Sequence, residues 1–301
     1  MKPVSMKPRR SWAAMRTKGW PDLSSPKDFR KWAASSGKNG EAILDRLYSY
    51  LCGRELEANL LHFQYVPNRY ARRDIRRDGA RLTGRVLDLG CGNQPHRPYL
   101  PGVRHYVGLD YPPTQASLPV RVQPQVYGDA RDLPFPDASF DGVLCSQVLE
   151  HVDRPEEVIS EVNRVLKPGG AGLISVPFFY NLHMEPHDYF RFTPYGIRGM
   201  LERNGLWVRE IRAQGGVGTL LVQLLHNWLF SGLARFARRH RLIGMLLLLA
   251  SPLFLLLSAF DNLGALALDR LNPQDWRFTP NLWVVAEKPV HERERASAPL
   301  L

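Results

Sequence analysis

Apolar positions change their spacing along the chain near Val86. From Glu41 to about Tyr70, the residues Ile43, Leu44, Leu47, Leu51, Leu60, Leu61 and Phe63 recur at helical intervals and predict one or two amphipathic helices. The stretch RYARRDIRRDGARLTG that follows reads as a charged linker, or as a helix ending at a glycine. Beyond it, short apolar runs alternate with helical patterns. VLDL (86–89), HYVGLD (105–110), the segment around Val126, FDGVLCSQ (140–147), AGLISVPF (171–178), LWVREIRA (206–213) and NLWVVAEKP (281–289) read as seven strands. RPEEVISEVNRVLKPGG (154–170) sets Val158, Ile159, Val162, Val165 and Leu166 on one helical face, with Pro168-Gly169-Gly170 as its stop. TPYGIRGMLERNG (193–205) is a further helix, closed by Gly205. Strands alternating with helices imply an α/β fold around a largely parallel, doubly covered sheet.

The first strand runs into a Gly90-Cys91-Gly92 turn, and turns at the carboxyl ends of strands are where open α/β sheets hold ligands. A dinucleotide fingerprint needs a third glycine three residues later, where helix and strand pack closely. That position is Pro95, whose ring cannot take that role, so the dinucleotide reading weakens. Prolines also crowd the first two crossovers (Pro95, Pro98, Pro101; then Pro112, Pro113, Pro119, Pro124), so their helices are expected to be abbreviated or absent.

Charge is unevenly placed. Residues 1–85 carry 19 Lys/Arg against 8 Asp/Glu while residues 86–301 carry 21 of each, so the whole +11 excess precedes the glycine turn. Such a segment suits anionic headgroups or nucleic-acid phosphates, or is a solvated leader. No apolar run follows the first lysines, so no secretory signal is expected. Cys52, Cys91 and Cys145 make neither a disulfide set nor a metal spacing. The expectation is a cytoplasmic protein with no metal site.

Asp110 ends the second strand eighteen residues after Gly92, where a carboxylate can take both hydroxyls of a ribose. Then come Asp129-Ala130, the run LPFPDASFDGVLCSQVLEHV, and VLKPGG. DLGCG, GLD, GDARDLPFPDASFD, VLEHV and VLKPGG occur in this order, and the chain resembles the class I S-adenosylmethionine-dependent methyltransferases, in particular the ubiquinone-biosynthesis-like, type 11 subgroup. The resemblance implies a Rossmann-like seven-stranded methyltransferase sheet; this sequence combines that sheet with N-terminal helices and an apolar helical insertion between strands six and seven, where the family normally has a short hairpin. It implies S-adenosylmethionine as cofactor. It further implies that Gly90 and Gly92 admit the methionine and ribose part, Asp88 holds the amino group, and Asp110 takes the ribose hydroxyls. Asp129 and the Ala130 N–H would meet adenine, and Gln147 would line the methionine side.

Methyl transfer from a sulfonium is an in-line displacement in which positioning supplies much of the rate. FFYNLHMEPHDYFRFT (178–193) should lie over the transferring methyl, and His187, His183, Arg191 and Asp188 are its candidate catalytic groups. A histidine would serve as base and Arg191 would grip an anionic acceptor. Alternatively Asp188 and Arg191 pair internally and anchor the loop.

The expected divisions are a basic leader (1–40), an N-terminal helical region (41–81), the methyltransferase domain (82–213 plus 281–289), the insertion (214–280) and a flexible tail (290–301). The insertion contains GGVGTLLVQLLHNWLFSGL (215–233) and LIGMLLLLASPLFLLLSAF (242–260), the latter without a charge in nineteen residues. As a helix it would reach roughly 28 Å, near the thickness of a bilayer core. Two strands of one sheet flank it, so crossings must be even in number, and two would carry the four arginines of ARFARRHR (234–241) to the far side, against the positive-inside tendency. The favoured expectation is a helical hairpin lying in one leaflet, giving peripheral or monotopic contact at the cytoplasmic membrane face. A homodimer interface or a lid are the alternatives. The expected function is methyl transfer to a small-molecule or lipid-linked acceptor. A nucleic-acid methyltransferase ranks below it, because SQVLEH stands where a base-flipping tetrapeptide would follow the fourth strand, and a catalytically silent cofactor-binding scaffold is the third reading.

Overall fold

In the computed structural model, which describes residues 50–53, 55–112, 122–239, 250–271 and 276–290, seven strands make one sheet. They are β1 (Thr83–Leu89), β2 (Gly102–Asp110), β3 (Val126–Tyr127), β4 (Phe140–Ser146), β5 (Leu166–Pro177), β6 (Trp207–Gln214) and β7 (Asn281–Glu287). Their order is β3-β2-β1-β4-β5-β7-β6, parallel through β5, with β7 antiparallel to both of its neighbours. The parallel strands therefore end on one edge, and β1 and β4, side by side, send their chains onward from it.

The buried strands place alternate residues on opposite faces. Leu87, Val143, Ile174 and Val284 pack with Val158, Ile159 and Val162 of α2 (Pro155–Val165) and Ile197 and Leu201 of α3 (Pro194–Arg203). Val86, Leu144, Leu173 and Trp283 pack on the other side with Ile75 of α1 (Tyr65–Asp78). The α1 face also holds a buried charge cluster. Arg212, 4% exposed, pairs with Asp74 and Asp78, and the Trp283 indole N–H donates to Asp78 Oδ2 at 3.0 Å. Buried charges persist only when paired in this way, so the cluster fixes how α1 sits on the sheet.

Two boundaries differ from the periodicity. The helix before β1 occupies the charged stretch itself, Tyr65–Asp78, while residues 58–64 turn: Asn59 Oδ1 accepts the Leu61 N–H at 3.0 Å and ends the helical spacing read there. The part of that reading before Tyr50 lies outside the described residues. α2 stops at Val165, and β5 starts at once with Leu166 paired to Phe140, the Lys167–Gly170 segment being absorbed as a register irregularity before Ala171 pairs with Gly142. Between β1 and β2 a single 3₁₀ turn, Arg97–Tyr99, replaces the crossover helix, as the prolines predict. The corresponding stretch after β2 lies partly outside the described residues, as do the leader and nearly all of the tail.

The insertion forms two helices, α4 (Val217–Arg239) and α5 (Ser251–Leu271). Pro252 lies in the first turn of the second, a position that suits proline. Residues 242–249 of the predicted apolar helix lie outside the described residues. Pro252–Leu271 is long and apolar enough to cross a membrane. The two helices run antiparallel, and Gly218 permits the close approach: a Cβ there would meet the Ala265 carbonyl oxygen at 2.3 Å.

The hairpin's polarity is inverted. Thr219, Gln223, His226, Ser258, Asn262 and Asp269 are buried, whereas Trp228, Leu256, Phe260 and Leu271 are 71%, 64%, 74% and 81% exposed. The buried set docks the hairpin on the domain. Asp269 accepts the Thr219 N–H at 3.1 Å, the Thr219 hydroxyl and the Tyr70 hydroxyl of α1 at 3.0 Å, and Asn262 Nδ2 donates to the carbonyls of Leu60 and His62 at 2.8 and 3.0 Å.

Candidate cofactor and acceptor site

At the end of β1 the Gly90 and Cys91 N–H groups both donate to the Leu109 carbonyl, at 2.8 and 3.1 Å, which folds the turn back over β2. Gly90 has φ +70°, and a Cβ there would meet Val148 Cγ2 at 2.3 Å. Among the described residues, a Cβ at Gly92 would meet nothing within 4 Å, so its backbone borders space that a ligand can fill. Asp110 stands under this space: Oδ2 accepts the Gly92 N–H at 2.9 Å and Oδ1 the Tyr111 N–H at 2.7 Å. Asp88 is 2% exposed and accepts the Tyr106 hydroxyl. Burial pushes its carboxyl up to about 7, against the pull of that hydrogen bond.

Asp129 and Gln147 already have partners. Arg131 donates to Asp129 through its backbone N–H at 2.9 Å and its guanidinium at 2.8 Å, and this overcomes burial to hold the carboxyl below its ordinary value. The adjacent Ala130 packs on the core at the same turn. Gln147, at φ +55°, donates Nε2 to Ser175 Oγ at 3.0 Å, and that hydroxyl donates to Gln214 Oε1 at 2.7 Å. Its side chain is thus drawn toward β5.

The loop after β5 gathers the candidate catalytic residues, but not all for the chemistry expected of them. Arg191 spends its guanidinium inside the loop, donating to both Asp188 oxygens at 2.7 Å and to the carbonyls of Tyr180, Asn181 and Phe190 at 3.0, 2.7 and 2.7 Å. The internal pair is what forms, and it anchors the loop. His183 sits beside this pair, its Nδ1 3.2 Å from Asp188 Oδ2; burial lowers its pKa, opposed by Asp188. His187 Nδ1 lies 3.2 Å from the Tyr189 hydroxyl, on the exposed side.

Glu150, beside His151 in VLEHV, reads in the sequence only as a group that caps or pairs nearby. It follows β4 in a 3₁₀ turn (Leu149–His151), its side chain is fully buried, neither carboxylate oxygen accepts a hydrogen bond from another of the described residues, and burial raises its pKa to about 8. One ligating atom each of Glu150, His151 and His183 lies within 4.8 Å of the others. The spacing had predicted no such cluster, because two distant segments build it. Its only signal is the acid and histidine pair in VLEHV.

Residues 87–174 match the family model described as a methyltransferase domain. Among curated proteins, the chain is 39% identical over 102 residues to a "Probable S-adenosylmethionine-dependent methyltransferase" of Mycolicibacterium smegmatis, covering 32% of this chain and 40% of that one. It is 38% identical over 90 residues to the demethylmenaquinone methyltransferase of Renibacterium salmoninarum, covering 29% and 38%. It is 38% identical over 94 residues to the fatty-acid O-methyltransferase of Mycolicibacterium smegmatis, covering 29% and 34%. The chain thus spans two fifths or less of the length of these relatives. The strand order, the glycine turn bordering space for a ligand, the carboxylates beneath it and the matched residues lead to one assignment: the chain carries a class I S-adenosylmethionine-dependent methyltransferase domain, with S-adenosylmethionine as its cofactor.

Proposed function

We propose that this protein transfers a methyl group from S-adenosylmethionine to a small, lipid-linked or lipid-like acceptor at the cytoplasmic face of a membrane. The observation that carries the reading is the inverted hairpin beside the acceptor loop. Asn227 Nδ2 of α4 donates to Asn181 Oδ1 at 2.6 Å, and Phe179, Leu182 and Met184 of that loop are exposed like the outer faces of α4 and α5. An apolar surface this extended on a soluble chain marks an interaction site. The basic run 234–241 of the sequence suits anionic headgroups. Two of the relatives named above bear names with apolar acceptors, a menaquinone precursor and a fatty acid, which supports the same substrate class.

S-adenosylmethionine supplies an electrophilic methyl group on a sulfonium. Asp88 would take the cofactor's amino group and Asp110 the ribose hydroxyls; Asp129, held by Arg131, and the Ala130 N–H would meet the adenine, and Gln147, held by Ser175, would line the methionine side. Gly90 and Gly92 admit the ligand against bare backbone. The Asp188–Arg191 pair holds the acceptor loop, and His187 would accept an acceptor's proton.

The test uses detergent-solubilised protein. S-adenosylhomocysteine binding is measured calorimetrically, and then a labelled methyl group is followed from S-adenosylmethionine into a lipid extract. Cofactor binding with label in the organic phase supports the reading. Binding with label only in water-soluble products removes the lipid acceptor.

A further inference from the structure

We propose that Glu150, His151 and His183 form a binding site for one divalent transition-metal cation. Two imidazoles and a carboxylate are a ligand set suited to zinc, cobalt or iron, and three protein ligands leave coordination positions open. Their ligating atoms lie within 4.8 Å of one another, and His151 Nε2 is 3.8 Å from Glu150 Oε1. A tetrahedral zinc site with bonds of about 2.0–2.1 Å has ligand edges of about 3.3 Å, so closure needs side-chain movements on the order of 1 Å. The imidazoles of His151 and His183 are 17% and 26% exposed, outside the buried core.

Two further features point to a cation rather than to a structural cluster. Glu150 is wholly buried, yet neither carboxylate oxygen accepts a hydrogen bond from another of the described residues. A buried carboxylate without donors is costly unless a cation or proton joins it. Both histidines are also oriented from behind, as metal-ligating histidines are. His151 Nδ1 lies 2.7 Å from the His187 carbonyl oxygen, and His183 Nδ1 lies 3.2 Å from Asp188 Oδ2, a carboxylate itself clamped by Arg191. Donation from each Nδ1–H leaves each Nε2 lone pair for a ligand. The Asp188–Arg191 pair thereby gains a second duty, holding His183 in register.

The site starts two residues beyond Val148, the residue against which Gly90 packs, and so borders the cofactor turn. The open coordination positions suit an oxygen of the methyl acceptor, and that part rests on the methyltransferase reading; cation binding itself does not.

The experiment uses tag-free full-length protein stripped with a chelator. It is titrated with ZnCl₂ by calorimetry and with CoCl₂ by visible absorption, without S-adenosylmethionine. One cation per chain at micromolar affinity or better is expected, with ligand-field bands for cobalt. Glu150→Gln, His151→Ala and His183→Ala should each weaken zinc binding about tenfold or more. Circular dichroism of each variant identifies any that fails to fold, and the others then carry the test. A folded wild type that takes up neither metal overturns the proposal, as does uptake unchanged in every folded variant. S-adenosylhomocysteine titration of the same samples reports separately on the cofactor site.

Discussion

The Tyr106 hydroxyl donates to the carboxylate of Asp88, joining β2 to β1 directly below the glycine turn. With burial pushing Asp88 up to about 7, the carboxyl is partly protonated at neutral pH, and the cationic amino group of the cofactor needs it ionised. S-adenosylhomocysteine affinity should therefore rise as pH increases through about 7 and then level off. Calorimetry in two buffers of different ionisation enthalpy should show a proton released on binding near that pH. The stability of the ligand-free protein moves the other way. A carboxyl whose folded pKa exceeds its unfolded value of 3.8 keeps its proton longer in the folded state, so this group's contribution falls between about pH 4 and 7 and is constant above. Tyr106→Phe removes the donor that favours the ionised form, and should shift the binding profile to higher pH.

Asp110 has both oxygens held by backbone N–H groups, of Gly92 and Tyr111, so its position is set before any ligand arrives. Asp110→Asn keeps the shape but loses an acceptor and the charge. Hydrogen bonds to a charged group contribute about 1.5–3 kcal/mol, so S-adenosylhomocysteine affinity should fall about 10–100-fold. Far-UV circular dichroism should be unaltered. An affinity within twofold of wild type would remove Asp110 from the ribose site.

The sheet was legible because its strands are buried on both faces and read as plain apolar runs such as VLDL and VVA, and the glycine turn because few residue types fit it. α1 was less so: its helix carries seven charged residues in fourteen, and what it packs with are the paired charges Asp74, Asp78 and Arg212. Hydropathy treats such residues as solvent-facing. The same averaging hid the inverted hairpin, where Asp269 and Asn262 lie inside and Phe260 outside. Arg191 stayed open between an acceptor grip and a pair with Asp188, because its five acceptor atoms depend on how residues 180–191 fold back on themselves.

Because Arg191 holds two carboxylate contacts and three carbonyls, Arg191→Lys cannot replace its planar fork. The loop should loosen while the glycine turn, built from β1 and β2, is untouched. Acceptor KM should rise about tenfold or more, equivalent to one lost charge-assisted hydrogen bond, with S-adenosylhomocysteine affinity within twofold. Parallel loss of cofactor affinity would mean that the loop closes over the cofactor rather than over the acceptor.

The hairpin makes opposite predictions for its two faces. Asp269→Ala leaves the buried Thr219 N–H and hydroxyl and the Tyr70 hydroxyl without their acceptor, at a cost of about 2–4 kcal/mol, visible as a lower urea midpoint. Trp228→Ser and Phe260→Ser, at side chains 71% and 74% exposed, should change stability by no more than about 0.5 kcal/mol in the same experiment. If these rings enter a leaflet, each contributes about 1.5–3 kcal/mol there, so each substitution should weaken binding to phosphatidylcholine–phosphatidylglycerol vesicles about 10–100-fold in a flotation assay. The inner-face variant, where it remains folded, should still float with vesicles. Wild-type protein that fails to float, yet runs as a dimer that both aromatic substitutions dissociate, would assign the apolar face to a second copy of the chain. A large loss of stability from the aromatic substitutions would show the rings packed within the fold and would end the membrane reading.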